Sequence, residues 1–163
     1  MNDKKYNTYV VVGLQWGDEG KGKIIDLIAS SSDYVVRFQG GNNAGHTVMV
    51  SDEKTTLDML PSGIISTKGK CILAAGTVID VDTFLDEVYN IEKNGKILDN
   101  LYIDGRANVI MPYHTMIDVA KQNVMGKNVI KTSKNGITPC YCDKISKKGI
   151  RIADLLDLDT LAD

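Results

Sequence analysis

Short apolar runs separated by glycine-bearing turns recur along the chain. Tyr9-Val10-Val11-Val12-Gly13 is the first, and its unbroken hydrophobicity predicts a buried strand of a parallel sheet. A glycine-rich turn follows over 17–22. Ile24, Ile25, Leu27 and Ile28 then fall at helical spacing within 23–29, which predicts a helix packed on that sheet. Tyr34 to Gln39 predicts a second strand, closed by Gly40-Gly41. The segment 42–50 starts polar and ends as a strand. Pro61-Ser62-Gly63 marks a turn within 57–65. Cys71 to Ala75 is a third apolar run. Residues 82–92 are amphipathic at helical spacing, with Asp82 as the expected N-cap. Leu101 to Asp104 predicts a short strand. Residues 113–123 predict a helix, with His114, Asp118 and Lys121 around an apolar stripe. The stretch 131–148 is polar and glycine-bearing and predicts a loop, and 151–161 predicts a helix. Strands and helices alternate, so the expected fold class is α/β, a mostly parallel sheet flanked by helices. With no repeat, low-complexity tract or linker, residues 1–163 are expected to form a single domain.

Composition narrows the function classes. The hydrophobic fraction is 43% and the charged fraction 25%, ordinary for a globular domain. Lys plus Arg is 19 and Asp plus Glu is 21, a net charge of −2. That balance argues against a broadly basic nucleic-acid binder. No apolar run approaches the roughly 18–20 residues of a membrane span. The polar, mixed-charge start, Met1 to Asn7, does not read as a secretory signal. Cys71, Cys140 and Cys142 are an odd set without metal-ligand spacing, so reduced thiols in a cytoplasmic protein are expected.

Two loops carry candidate chemistry. Gly17-Asp18-Glu19-Gly20-Lys21-Gly22-Lys23 lies between a predicted strand and a predicted helix. Backbone N–H groups at a helix start, with its dipole, favour an anion, and glycines let phosphate oxygens approach. The spacing matches G-x-x-x-x-G-K, but Ile24 stands where a P-loop has Ser or Thr for magnesium. Asp18 and Glu19 would repel phosphate unless one holds a metal or acts as a base. A plain strand-to-helix turn with solvated charges is the competing reading. The second loop, Gly40-Gly41-Asn42-Asn43-Ala44-Gly45-His46-Thr47, has little that fills a core and suits close approach to a polar ligand. His46 can exchange a proton near neutral pH, and it can equally be a structural hydrogen-bonder.

Together, Gln15 to Lys23 and Gln39 to Thr47 resemble the signatures of adenylosuccinate synthase, in the same order and at the same spacing. Leu60-Pro61-Ser62-Gly63-Ile64, the stretch 132–144 and Gly149 to Leu155 resemble further parts of that family. The resemblance runs over the whole chain, but only over the N-terminal part of the family's longer protein. It implies a P-loop-like GTP-binding half of a larger fold. It further implies GTP-dependent ligation of IMP and L-aspartate in AMP synthesis, through a 6-phosphoryl intermediate and with Mg2+. By the same resemblance, Asp18 is the base and a magnesium ligand, and His46 the acid that stabilises the transferring phosphoryl group. GTP would be bound by Gly17, Asp18, Glu19, Gly20, Lys21, Gly22, Lys23, Gly45, His46 and Thr47. IMP would be bound by Asp18, Lys21, Asn43, Ala44, Gly45, His46, Ser133 and Lys147, and magnesium by Asp18 and the Gly45 carbonyl. The family's homodimer, or a complementing subunit, is the expected partner.

Several positions depart from that pattern. Ser133 replaces a threonine and keeps its hydroxyl. Lys131 and Thr138 replace glycines, and Ala74-Ala75 replaces a glycine–asparagine pair. Asp58 replaces a histidine. Lys147 replaces an arginine that reaches across the dimer, keeping the charge and losing the bidentate fork. These changes carry the alternative, a truncated, non-catalytic nucleotide-binding relative or complementing subunit.

Overall fold

The computed structural model describes residues 8–15, 19–43, 45–50, 53–124, 132–157, 159 and 161. In chain order the elements are α1 (Lys21–Ala29), β1 (Tyr34–Arg37), β2 (His46–Val50), β3 (Glu53–Leu57), β4 (Lys70–Leu73), β5 (Val78–Ile79), α2 (Val81–Lys93), β6 (Leu101–Ile103), β7 (Asn108–Val109), α3 (Pro112–Val124) and α4 (Ile137–Ser146). A short 3-10 helix, Ile152–Leu156, follows.

The main sheet is parallel, in the order β1-β4-β6. Val35 pairs with Cys71 and Cys71 with Leu101, so these three side chains line one face. That face packs on α1 and α2: Ala29, Val35, Leu57, Leu60, Ile64, Cys71, Ile91 and Leu98 form one core cluster. One residue along, Val36, Ile72 and Tyr102 are in register on the opposite face. Tyr34, Val36 and Tyr102 are exposed there. Past the main sheet the ladder resumes: Gly40 bridges Thr77, and β5 pairs with β7 in parallel. The α/β class with a mostly parallel sheet therefore stands, with one antiparallel hairpin, β2–β3, added to it.

Four sequence expectations need correction. The run Tyr9 to Gly13 is not a strand, and Tyr9, Val10 and Val12 lie on the surface. An apolar run specifies a strand only when a neighbouring ladder takes its backbone groups, and none of the described strands pairs with it. The cap of α2 is Asp80, not Asp82: its side chain accepts the Thr83 N–H at 2.9 Å, and Asp82 is already inside the first turn.

The expected loop 131–148 contains a ten-residue helix, α4. Left-handed Gly136 (φ 74°) opens it, and Pro139 falls in the first turn, where a missing N–H costs nothing. Its buried side, Pro139 and Cys140, is short, which is why the stretch reads as polar. The expected helix over 151–161 starts as a 3-10 helix over Ile152–Leu156, held by the Asp154 carboxylate, which accepts the Arg151 backbone N–H at 2.8 Å and its guanidinium N–H groups at 2.7 and 3.0 Å; Asp159 and Leu161 are helical beyond it.

Candidate functional site

The first loop leads into α1 through Gly20 in the left-handed region (φ 76°). Among the described residues the helix has no side-chain cap and no acid in its first turn. Its start is thus electropositive. Lys21 is ion-paired with Glu19, and Glu19 also accepts the Gln15 N–H at 3.2 Å. Both side chains lie over Gly13, where a Cβ would come within 2.6 Å of Glu19 Oε1 and 2.8 Å of Lys21 Nζ. Lys23 is exposed. Gly17 and Asp18 of this loop, and Ala44 of the second, lie outside the described residues.

The second loop delivers His46 as the first residue of β2, opposite Leu57 of β3. The His46 side chain rests on Gly22 of α1: a Cβ at Gly22 would stand 2.8 Å from His46 Cβ and Cγ. Only glycine lets the imidazole lie so close to the helix start. The two loops, 24 residues apart at these positions, thereby form one surface. His46 Nδ1 faces Ser62 Oγ at 3.4 Å. Among the described residues, Nε2 is buried without a hydrogen-bond partner. Burial lowers the His46 pKa below the ordinary 6.5; Asp26, the Leu57 backbone and Asp58 oppose this, and Arg37 reinforces it. The ring is therefore neutral at pH 7 and has one N–H to donate.

A buried clamp that the sequence reading missed holds this geometry. Arg37 donates to the carbonyls of Asp58 (2.7 Å) and Met59 (2.9 Å), and to that of Gly41. Glu87 of α2 accepts the N–H groups of Asp58 (2.6 Å), Met59 (2.9 Å) and Leu60 (2.9 Å). The segment from β3 to the Pro61-Ser62-Gly63 turn is so gripped on both polar edges. Two sequence signals point to it: an arginine inside an apolar strand, and a glutamate within the stripe Phe84, Val88, Ile91 of α2. Burial pushes the Glu87 carboxyl above the usual range even though three N–H groups pull it down. The Asp58 carboxylate stands against Gly45.

Asn43, Gly45 and Thr47 are exposed at the rim of this surface. Asn42 donates to Thr83 Oγ1 at 3.2 Å, and its Oδ1 is buried without a partner among the described residues. A third segment joins here: Asn135 Nδ2 donates to the Asn42 carbonyl at 3.0 Å, bringing the turn with exposed Ser133 to the second loop. Lys147 is not brought in. It closes α4 at the far end, and ten helical residues place it about 15 Å from the Ser133 turn. A cleft of about 900 Å³ lies between α3 and the start of α2, lined by Asp80, Val109, Met116 and Val119; among the described residues none of either glycine loop borders it.

The cysteines are free. Burial pushes Cys71 up to about 11 and Cys140 up to about 12, so neither is a thiolate at neutral pH. Among the described residues no helix is long and apolar enough to cross a membrane, and no group of three or more His, Cys, Asp or Glu could hold a metal.

Comparison with known proteins shows the family to which the chain belongs. The family model for adenylosuccinate synthetase matches residues 10–163. The adenylosuccinate synthetase of Fusobacterium nucleatum is 58% identical over 150 residues, covering 92% of this chain and 35% of the relative. That of Heliobacterium modesticaldum is 52% identical over 151 residues, again 35% of its length. The chain thus spans about a third of these relatives. The solved structure of fully ligated adenylosuccinate synthetase from Plasmodium falciparum superposes with a TM-score of 0.77 at 40% identity, covering 90% of this chain and 35% of that one. A cyanophage S-2L succinoaminodeoxyadenylate synthetase, at 23% identity and a TM-score of 0.68, shares the fold. On the match over 10–163 and these likenesses, the chain belongs to the adenylosuccinate synthetase family.

Proposed function

We propose that this chain carries the GTP- and IMP-facing part of an adenylosuccinate synthetase, which joins L-aspartate to IMP at the expense of GTP. The observation that carries the reading is His46 lying on Gly22 at the electropositive start of α1, with a buried Nε2 that has no partner among the described residues. An anion at the helix start would supply that partner.

In this reading the γ-phosphate of GTP sits at the start of α1, with Lys21 and Lys23 neutralising it. Lys21 exchanges Glu19 for phosphate when nucleotide binds. Asp18 takes the N1 proton of IMP, and O6 attacks the γ-phosphorus as GDP leaves. Neutral His46 donates its Nε2–H to a transferring phosphoryl oxygen. The amine of aspartate then displaces phosphate from C6. Such catalysis is mostly positioning and charge neutralisation. Magnesium fits the donors at hand: the Gly45 carbonyl and the Asp18 carboxylate are hard oxygen ligands, and the Asp58 carboxylate stands against Gly45. Bound there, it would neutralise phosphate charge.

The test is adenylosuccinate formation from IMP, aspartate and GTP. Asp18→Asn should abolish it and leave nucleotide affinity largely intact, since shape is kept and the base removed. A full rate in that variant would remove Asp18 from the mechanism. A second reading is a non-catalytic nucleotide-binding relative or complementing subunit. The exposed sheet face of Tyr34, Val36 and Tyr102 favours it. It predicts nucleotide binding without turnover, and turnover only when a complementing chain is added.

A further inference from the structure

The two ring nitrogens of His46 have different surroundings. Nε2 is buried and has no hydrogen-bond partner among the described residues. Nδ1 faces Ser62 Oγ at 3.4 Å. The Cγ–Cδ2 edge rests on Gly22, where a Cβ would stand 2.8 Å from His46 Cγ and 3.0 Å from Cδ2. Ser62 stands on a firm support. It is half-buried, and its neighbours Pro61 and Gly63 are buried. Glu87 accepts the Leu60 N–H at 2.9 Å, and the Ile64 N–H closes the turn on the Pro61 carbonyl at 3.1 Å. Gly63 (φ 89°) packs against the end of α1, where a Cβ would come within 2.4 Å of Ala29 Cβ. The Ser62 hydroxyl is thus delivered to the imidazole by packing that does not depend on the hydroxyl itself.

A neutral imidazole carries one proton, and the partners of its two nitrogens decide which of them holds it. A hydroxyl can donate or accept, and it rotates to suit its partner. An imidazole nitrogen is a far stronger base than a hydroxyl oxygen, so in this pair the hydroxyl donates and Nδ1 accepts. The proton then stays on Nε2, the nitrogen without a partner. We propose that Ser62 is a positioning residue for His46: its hydroxyl donates to Nδ1 and so holds the ring as the Nε2–H tautomer. The buried Nε2–H is then a donor oriented before its acceptor arrives. That the acceptor is a γ-phosphate oxygen of GTP rests on the proposed function; the hydrogen bond from Ser62 does not. Bonds of this kind are often long without ligand and tighten when it binds.

The other histidine of the chain, His114, supplies a reference in the same spectrum. The Met111 N–H donates to its Nδ1 at 2.8 Å, and a backbone N–H can only donate, so His114 carries its proton on Nε2, toward Asp143. The experiment is a long-range proton–nitrogen correlation spectrum of the ring nitrogens at pH 7, on wild type, Ser62→Ala and Ser62→Thr, together with calorimetric affinities for GTP and GDP. In wild type His46 should show the His114 pattern, with the proton on Nε2 and Nδ1 accepting. Ser62→Ala should move the Nδ1 resonance and give a mixture of tautomers. Ser62→Thr keeps the hydroxyl and should restore the wild-type pattern, while His114 stays unchanged throughout. GTP should bind Ser62→Ala about fivefold more weakly, and GDP, which lacks the γ-phosphate, within about twofold of wild type. A wild-type proton on Nδ1, or His46 resonances unmoved in Ser62→Ala, overturns the proposal. Equal losses for GTP and GDP, with the expected spectra, overturn the γ-phosphate as acceptor and leave the Ser62 bond standing. If wild type binds neither nucleotide, the functional reading fails, and the spectra alone decide the role of Ser62. Should Ser62→Ala not fold, the wild-type and Ser62→Thr spectra still show which nitrogen holds the proton.

Discussion

His46 concentrates the site's chemistry in one side chain. Its pKa is lowered mainly by burial, so the folded state favours the neutral ring. A base with a lowered pKa adds stability above its ordinary pKa, and that stability is lost as pH falls through the folded value. In NMR titration the His46 ring should protonate below pH 6.5, while in His46→Asn the matching loss of stability on acidification should disappear. Glu87 runs in the opposite sense. Its pKa is raised by burial, so its contribution is full below the ordinary glutamate value and falls as pH rises through the raised one. Glu87→Gln should lower stability by about 1–3 kcal/mol, because a buried N–H loses its acceptor. As pH rises above 4.5, denaturation should also show a shallower decline in stability in that variant. Lys21→Ala should weaken GTP and IMP together; unchanged affinities would argue against phosphate at the first loop.

Elements place these residues by their ends. The starts of α1 and α4 are glycine-opened and uncapped by side chains, whereas α2 is capped conventionally by Asp80. Asp80→Ala should therefore cost about 1 kcal/mol of stability in chemical denaturation and leave nucleotide affinity unchanged. Gly22→Ala is a different kind of change. Its backbone tolerates alanine within a helix, but the added methyl meets the His46 side chain at 2.8 Å. It should lower nucleotide affinity more than stability. What the sequence revealed of the elements follows from this. β1, β4 and β6 were legible because their apolar runs do pair. The run 9–13 looked the same and does not pair, since a period says nothing about the neighbour. α4 was hidden because few of its residues are buried. Gly22 and His46 were legible as loop chemistry, but their mutual contact was not. Nor was the grip of Arg37 and Glu87, for it runs through backbone groups that any residue at 58–60 supplies.

At the scale of the whole molecule, one sheet face is packed and the other bears exposed Tyr34, Val36 and Tyr102. Parallel sheets are ordinarily covered on both faces. The chain spans about a third of its relatives' length. The packed face nonetheless carries the elements that bring the two glycine loops together, and under the proposed function these loops form one nucleotide site. The most direct measurement is the melting temperature of the purified chain with GTP, magnesium and IMP, added singly and together. Binding to the folded state adds stability by mass action, about 2.7 kcal/mol at a hundredfold excess over Kd, and so raises the melting temperature. The melting temperature should rise with GTP only when magnesium is present, and should rise further with both nucleotides than with either alone. No rise with any combination, in a chain that melts cooperatively, would contradict it.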